Sequence, residues 1–311
     1  MRNPEIIGMG LRCVDIVMSC TEMPTWEKGG LVDAFTMQGG GPAGTAMVAA
    51  SRLGAVTGYI GTIGNDLISE IKRNSLTMYD VDISRIVKRP FPENQVIFVY
   101  VNKETGERVF ALLANYLENP VMPAELDRDY LTSAEYLLLD GVYPEASLQA
   151  ARWMREAGKT VVIDMWKTNE AVPDWKRELV TLTDIVICGE GFAAAYSGEH
   201  DILKAGRAML ADGPRIVVET VGERGCYTMT ENEAFHTPAF DVTVVNTTGA
   251  GDVFHGAYIT GLLKGWDLKT VARFATAVSA LTCTRLGGHD RFPVYDEVKS
   301  FLKMHNIELP K

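Results

Sequence analysis

Short apolar runs alternate along this chain with stretches whose apolar positions recur at helical spacing, and that alternation narrows the fold more than any other feature. Residues 6–10, 57–63, 136–139, 160–163, 184–187 and 215–220 read as buried strands, apolar on successive positions as strands covered on both faces must be. Between and after them, residues 43–53, 144–157, 202–210, 252–263 and 268–282 read as helices. Strand, helix, strand in that order calls for an α/β fold with a mostly parallel central sheet.

Two stretches break the rhythm. Residues 31–38 and 95–113 are extended in pattern, and the second folds back at a turn over 103–107, KETGE, between 96–101 and 108–113. Neither carries a crossover helix, so antiparallel pairing suits them better than the parallel core. They are expected to form a small accessory sheet, drawn from about 11–38 and 92–115, inserted into one domain spanning 1–311. Such a sheet can cover a ligand at the carboxyl ends of the core strands.

Composition excludes some partners. With 40 acidic against 30 basic residues and a net charge of −10, the chain lacks the basic face that a nucleic-acid surface needs. Five cysteines are scattered without a CxxC pair, which fits neither a disulfide framework nor a zinc site. Residues 1–10 lack the basic and long apolar regions of a signal peptide, and no apolar run reaches membrane-spanning length. A cytoplasmic protein that engages no membrane is expected.

The residues with the clearest chemistry are Asn246-Thr247-Thr248-Gly249-Ala250-Gly251-Asp252, followed by VFHGA. An extended segment runs into a small-residue turn and then a helix. The first amides of a helix lack internal partners and lie at its positive end, and Gly249 and Gly251 let a phosphate approach them. Asp252 is a poor choice for anion binding alone, because its charge repels phosphate. Accepting a proton from an attacking hydroxyl would give it a use. On spacing alone, a helix N-cap explains it equally well.

TTGAGDVFHGA resembles the C-terminal signature of the ribokinase-like (PfkB-type) carbohydrate kinases. Gly39-Gly40-Gly41-Pro42-Ala43-Gly44-Thr45-Ala46, running on to Leu53-Gly54, is similar to the glycine-rich substrate-side signature of that family. The order and separation of the two motifs also match, so the resemblance covers nearly the whole chain. It implies a ribokinase-like three-layer α/β/α domain with a small β-sheet lid, using ATP and Mg2+ to phosphorylate a sugar or sugar derivative. Asp252 would be the general base, and Gly249, Ala250 and Gly251 the anion hole. Asp15 would hold sugar hydroxyls, with Gly39, Gly40 and Gly41 passing close to the sugar and Asn115 as a polar substrate contact. Thr220, Gly222 and Gly225, in a turn after a buried strand, would line the ATP site together with Thr248. Arg224, in the same turn, reads either as a phosphate cation or as a solvated turn residue, the second being preferred.

The chain departs from the family pattern at three places. Asn246 stands where an Asp usually helps ligate a monovalent cation, so potassium activation is doubtful. The NxxE motif is missing, since the chain reads Cys188-Gly189-Glu190-Gly191-Phe192, and Glu190 is the nearest carboxylate to arrange Mg2+ through water. Gly44 replaces an Asn that contacts sugar hydroxyls. The GGGPAxTA form and the CTRLGG at 283–288 look closest to the sulfofructose kinase branch, although Lys28 is offset from the expected cation and Asp140-Gly141-Val142 offers no arginine.

Asp164, ending an apolar strand, reads either as a residue that helps hold Mg2+ or substrate or as a turn cap. His255 reads as a packing or capping residue. Three alternatives remain at this stage. A nucleoside kinase of the same fold would stack a base on Tyr100, Tyr116 or Tyr143. A sugar-binding regulator without catalysis would be expected to lack Asp252. A nicotinamide-dependent oxidoreductase fits poorly, because Gly8-Met9-Gly10 lacks the third glycine of GxGxxG. The lid strands could pair between two copies as a homodimer, although no residue pattern requires it.

Overall fold

The computed structural model describes residues 3–105, 107–166, 168, 170–285 and 288–310. Gly106 in the 103–107 turn, and Leu286 and Gly287 in the CTRLGG stretch, therefore lie outside the described residues. In chain order the strands are β1 (Ile6–Met9), β2 (Cys13–Cys20), β3 (Ala34–Gly40), β4 (Thr57–Ile60), β5 (Thr62–Ile63), β6 (Val87–Lys88) and β7 (Val96–Asn102). They continue with β8 (Arg108–Leu112), β9 (Tyr136–Leu139), β10 (Thr160–Met165), β11 (Ile185–Gly189), β12 (Ile216–Thr220), β13 (Cys226–Met229) and β14 (Ala234–Thr237).

Eight of these strands form one sheet in the order β14-β13-β12-β11-β10-β9-β1-β4. From β12 to β4 every neighbour is parallel, while β13 and β14 add an antiparallel hairpin at one edge. Successive residues of the core strands point to opposite faces, and both faces are dry. Ile6, Leu138, Val162, Ile187 and Val218 enter one core with the helices Pro42–Arg52, Ala250–Leu263, Leu268–Cys283 and Tyr295–Met304. Ile7, Leu137, Ile163, Val186 and Val217 enter a second core with Pro144–Glu156, Asp174–Thr181, Phe192–Ser197 and Ile202–Leu210. The consecutive apolar runs of the sequence thus have their cause in burial on two sides. Among the described residues no helix is long and apolar enough to cross a membrane.

A second sheet has the order β3-β2-β7-β8. Its central pair, β2 and β7, is parallel, where the sequence suggested antiparallel pairing throughout. Between them the chain passes through β3, two helices and a return to the core sheet, which is crossover enough for parallel strands. The single strand read over 57–63 is also two, since β4 belongs to the core sheet and β5 pairs with β6. At the root of the second sheet, the buried Lys72 Nζ donates to Glu93 Oε1 (3.1 Å) and Gln95 Oε1 (2.7 Å). That ion pair ties the start of β7 to the helix Leu67–Thr77.

The helix Ala250–Leu263 is buried on nearly every side from Val253 to Gly261, which suits a helix sandwiched between the sheet and two other helices. It crosses Pro42–Arg52 at Gly256, where a Cβ would lie 2.2 Å from the carbonyl oxygen of Ala46. Only glycine permits that approach of two backbones. Gly256→Ala should force the helices apart and destabilise the protein by about 1–3 kcal/mol, read as a lower urea midpoint. An unchanged midpoint would contradict the crossing described.

Candidate active site

The turn 246–252 is built by short-range bonds. Asn246 Oδ1 accepts from the amide of Thr248 (3.0 Å), and Gly249 takes φ +74°, a left-handed conformation that favours glycine. The helix then starts at Ala250 with no side-chain cap. Asp252 lies in the first turn of the helix, whose N-cap is Gly249, so the N-cap reading of Asp252 does not hold. The amide of Ala250 donates to the carbonyl of Thr247 (3.2 Å), and no side chain caps the helix start, whose positive end faces outward.

Asp252 and Gly249 line a cavity of about 360 Å³ between the two sheets. Across the cavity stand Asp15 of β2 and Gln38, Gly39, Gly40 and Gly41 at the end of β3, with Thr248 completing the turn side. The cavity face of the second sheet follows from register. Asp15 lies opposite Gln38 and Ile97, and Ile97 opposite Leu112, and all four line the cavity together with Phe110, Tyr116 and Trp166. The two motifs singled out in the sequence, more than 200 residues apart, therefore meet in one space.

The glycines beside the cavity make room for neighbouring side chains. A Cβ on Gly40 would fall 2.3 Å from Asp15 Oδ2, and one on Gly39 or Gly44 would strike the side chain of Arg12, at 2.1 and 2.4 Å. Gly41 has φ +88° and lies against the carbonyl of Leu11. Gly44 thus makes room for a buried guanidinium.

Carboxylates crowd the carboxyl ends of the core strands. Burial pushes the Asp252 carboxyl up to about 7, and the charge of Asp164 adds to this while that of His255 opposes it. Asp252 itself is only half-buried and remains open to the cavity. Asp140 is also raised to about 7, chiefly by burial, although its carboxylate accepts from the amides of Leu11 (2.6 Å) and Val142 (3.0 Å). Burial raises Asp15 as well, against a thiol hydrogen bond from Cys13 (3.2 Å).

One turn beyond Asp252, His255 pairs with Asp164 (Nε2 to Oδ1, 3.2 Å), and its Nδ1 donates to the carbonyl of Gly251 (2.6 Å). Burial opposes the charged imidazole, but Asp164 and these hydrogen bonds outweigh it and raise His255 to about 9. Spacing of three along a helix could have signalled that Asp252 and His255 share a face. Nothing in the sequence joined His255 to Asp164 on β10.

Two arginines at the turn also escaped the sequence reading. Arg108, on β8, reaches down to Asn246 Oδ1 (2.6 Å) and to the hydroxyl of Thr248. Arg291 lines the cavity and donates to main-chain carbonyls of the turn.

Other residues singled out in the sequence lie apart from the cavity. Asn115 is exposed and does not line it, although the adjacent Tyr116 and Leu117 do. Thr220, Gly222 and Gly225 form the end of β12 and the tight turn after it. A Cβ on Gly225 would meet the carbonyl of Thr237 at 2.0 Å, so strand packing already demands glycine there. Glu190 is exposed and forms an ion pair with Arg224. Lys28 is exposed and pairs with Glu22 (3.3 Å). Glu219, unnoticed in the sequence, is buried, with Oε1 accepting from the amide of Gly191 (2.9 Å) and Oε2 lacking any partner.

Comparison with known proteins places the fold and the family. The chain is 23% identical to a 5-dehydro-2-deoxygluconokinase of Shouchella clausii, covering 97% of each chain. It is 28% identical to a ribokinase of Staphylococcus aureus, over 84% of this chain and 86% of that one. Its fold resembles that of a putative E. coli ribokinase II crystallised with ATP and Mg2+, with TM-score 0.84, 24% identity, and coverage of 97% and 100%. The Thermotoga maritima ribokinase is similar, with TM-score 0.83, 24% identity, and coverage of 96% and 99%. Residues 10–294 match the profile of the pfkB family carbohydrate kinase, and the chain belongs to that family.

Proposed function

We propose that this protein transfers the terminal phosphoryl group of ATP, with Mg2+, to a hydroxyl of a sugar or sugar derivative held in the cavity. The observation that carries this reading is the meeting of Asp252 and the left-handed turn at Gly249 with Asp15 across one cavity. Asp15 accepts hydrogen bonds from acceptor hydroxyls, and the cavity face of the second sheet, apolar at Ile97, Phe110 and Leu112, closes over the ligand as a lid and excludes water. Asp252 takes the proton of the attacking hydroxyl as its oxygen forms a bond to phosphorus and the bond to the departing nucleotide breaks. The amides at 249–251 face the charge that gathers on the transferred group. The charged His255 lies one turn along the helix and favours the ionised, proton-accepting form of Asp252.

Among the described residues no cluster of three or more acidic, His or Cys side chains forms a metal cage. This suits Mg2+, which binds largely through nucleotide phosphates and water and needs few protein ligands. When bound it neutralises charge on the phosphates. Glu219, with its buried unpartnered oxygen, fits such an indirect role better than the exposed Glu190. The turn at Thr220, Gly222 and Gly225 continues directly from Glu219 and supports the nucleotide side.

A riboside acceptor is the second reading. Trp166 is half-exposed and lines the same cavity as Tyr116, and either ring could stack a base. Tyr143 is buried and engaged by Gln95 (3.1 Å), so it does not serve that purpose. A screen for ADP formation against hexoses, pentoses, nucleosides and sulfosugars discriminates between the readings. Turnover on no member of the screen would count against both.

The outward face of the lid carries exposed Phe35, Met37 and Val109, which favours a second copy of the chain as partner. Light scattering should give a dimer, and Phe35→Glu a monomer. A monomeric wild type would remove this assembly.

Asp252→Asn should abolish most turnover, by about a thousandfold or more, while ATP still binds. The same variant should be more stable at neutral pH. A carboxyl raised to about 7 in the folded state costs stability as pH climbs from its unfolded value toward 7. The amide removes that cost, which for a shift of about three units is at most about 4 kcal/mol and, discounted for the solvent that reaches this half-buried carboxyl, about 1–2 kcal/mol above pH 7 and nothing below pH ~4. Normal turnover in the variant would rule out the general base.

Since Asp252 must be ionised to act, kcat/KM should fall with an acid limb near pH 7. His255→Gln removes a cation that favours the carboxylate, and should move that limb upward by about half a unit to one unit. A limb that stays put would show that His255 does not act on Asp252.

A further inference from the structure

Among the described residues lining the cavity, Arg291 is the only arginine or lysine. It ends the short turn His289–Arg291 and is 95% buried, at 5% exposure. Its Nη1 donates to the carbonyl oxygens of Asn246 (3.3 Å) and Arg285 (3.2 Å), and its Nη2 to that of Thr248. Its Nε is buried with no partner. Among the described residues it makes no ion pair. The charged or titratable groups acting on it are Cys283, Arg108 and Asp290, and burial together with Arg108 works against its charge. A guanidinium buried without a carboxylate is costly, so its place beside the reacting groups calls for a use.

The partners of Arg291 suggest that use. Backbone carbonyls converging on one point are how proteins replace the hydration shell of a hard cation. Here the converging oxygens come from Asn246 and Thr248, which lead into the left-handed Gly249, and from Arg285 across the space. The cation among them is part of the chain. Nη2 lies 3.9 Å from where a Gly249 Cβ would be, and Asp252 Oδ2 is at the same distance from that point. Arg291 therefore fixes the approach to the turn that faces the transferred group, and it adds a full positive charge there. Asn246, with its neutral side chain engaged by Thr248 and Arg108, brings no negative charge to attract a second cation.

We infer that Arg291 is a tethered cation: its guanidinium fills a carbonyl-lined position beside the turn 249–251, holds that turn for phosphoryl transfer, and makes the reaction independent of added monovalent cation. The inference rests on the kinase reading above, with Arg291 as a positioning residue.

The test compares turnover in potassium chloride and in tetramethylammonium chloride, for the wild type, Arg291→Ala and Arg291→Lys. The wild type should be equally active in both salts. Arg291→Ala should lose about a hundredfold in kcat, the scale of one lost preorganised donor at a transferring group, with a smaller change in the KM for ATP. Millimolar guanidinium or potassium should restore part of that loss, since either can enter the vacated carbonyl site, and Arg291→Lys should retain part of the activity. Wild-type turnover that requires potassium would overturn the tethered cation while leaving the kinase reading intact. A loss in Arg291→Ala that neither ion restores would reduce Arg291 to a packing role, and near-normal activity would remove it altogether. If Arg291→Ala does not fold, the salt comparison on the wild type still decides. Absence of wild-type turnover on every acceptor would sink the kinase reading, and this inference with it.

Discussion

A guanidinium buried without a carboxylate partner, that of Arg12, holds together the parts of the chain that make the cavity. Arg12 is completely buried. Its Nη2 donates to the carbonyl and hydroxyl of Ser75 (2.8 and 2.7 Å) on the helix Leu67–Thr77, and the guanidinium meets both ring nitrogens of His289 (3.0 and 3.3 Å) in the C-terminal turn. Burial lowers Arg12 to about 10, still well above neutrality. Burial and the nearby Arg12 charge keep His289 far below its ordinary value, hence neutral and able to accept a hydrogen bond. Gly39 and Gly44 are small because Arg12 lies between them. The second sheet, the helix after the glycine cluster and the C-terminal turn are thereby locked around one charge. That turn also delivers Arg291 to the carbonyls of Asn246 and Thr248.

The electrostatics of the cavity follow from this frame. Four carboxylates, on Asp15, Asp140, Asp164 and Asp252, lie near one another where the core strands end, and two of them titrate near neutrality because burial disfavours their charge. Opposing them are the protonated His255, the positive start of the helix Ala250–Leu263, and Arg291. A proton acceptor near neutral pH beside a preorganised positive field is a workable arrangement for moving a phosphoryl group onto a hydroxyl. It also costs stability, since each raised carboxylate would be easier to bury as an amide.

The core sheet was legible because strands covered on both faces must be apolar at every position, and β1, β9, β10, β11 and β12 fall on the runs at 6–10, 136–139, 160–163, 184–187 and 215–220. β13 and β14 were not read. Four-residue strands in a hairpin, with Tyr227 and His236 half-covered or exposed, carry too little pattern to separate them from loop. The parallel pairing of β2 with β7 was equally hidden, since strand direction is a relation between segments nearly 80 residues apart. At the site, Gly249 and Asp252 could be singled out locally, because a left-handed turn and a helix start are short-range events. The pairs His255–Asp164 and Arg291–Thr248 could not, because each joins residues that only the fold brings within reach.

The sequence by itself therefore determined the layered α/β architecture, through burial period, and the small-residue turn and helix start at Gly249, through backbone conformation. Both are properties of contiguous residues. Only the tertiary structure decided which charges surround that turn: that Glu190 is taken up by Arg224, that Glu219 is buried with a free oxygen, and that a guanidinium lies among the carbonyls of Asn246, Thr248 and Arg285. Coulombic and hydrogen-bond partners are set by distance in space, and the order of residues along the chain does not contain it.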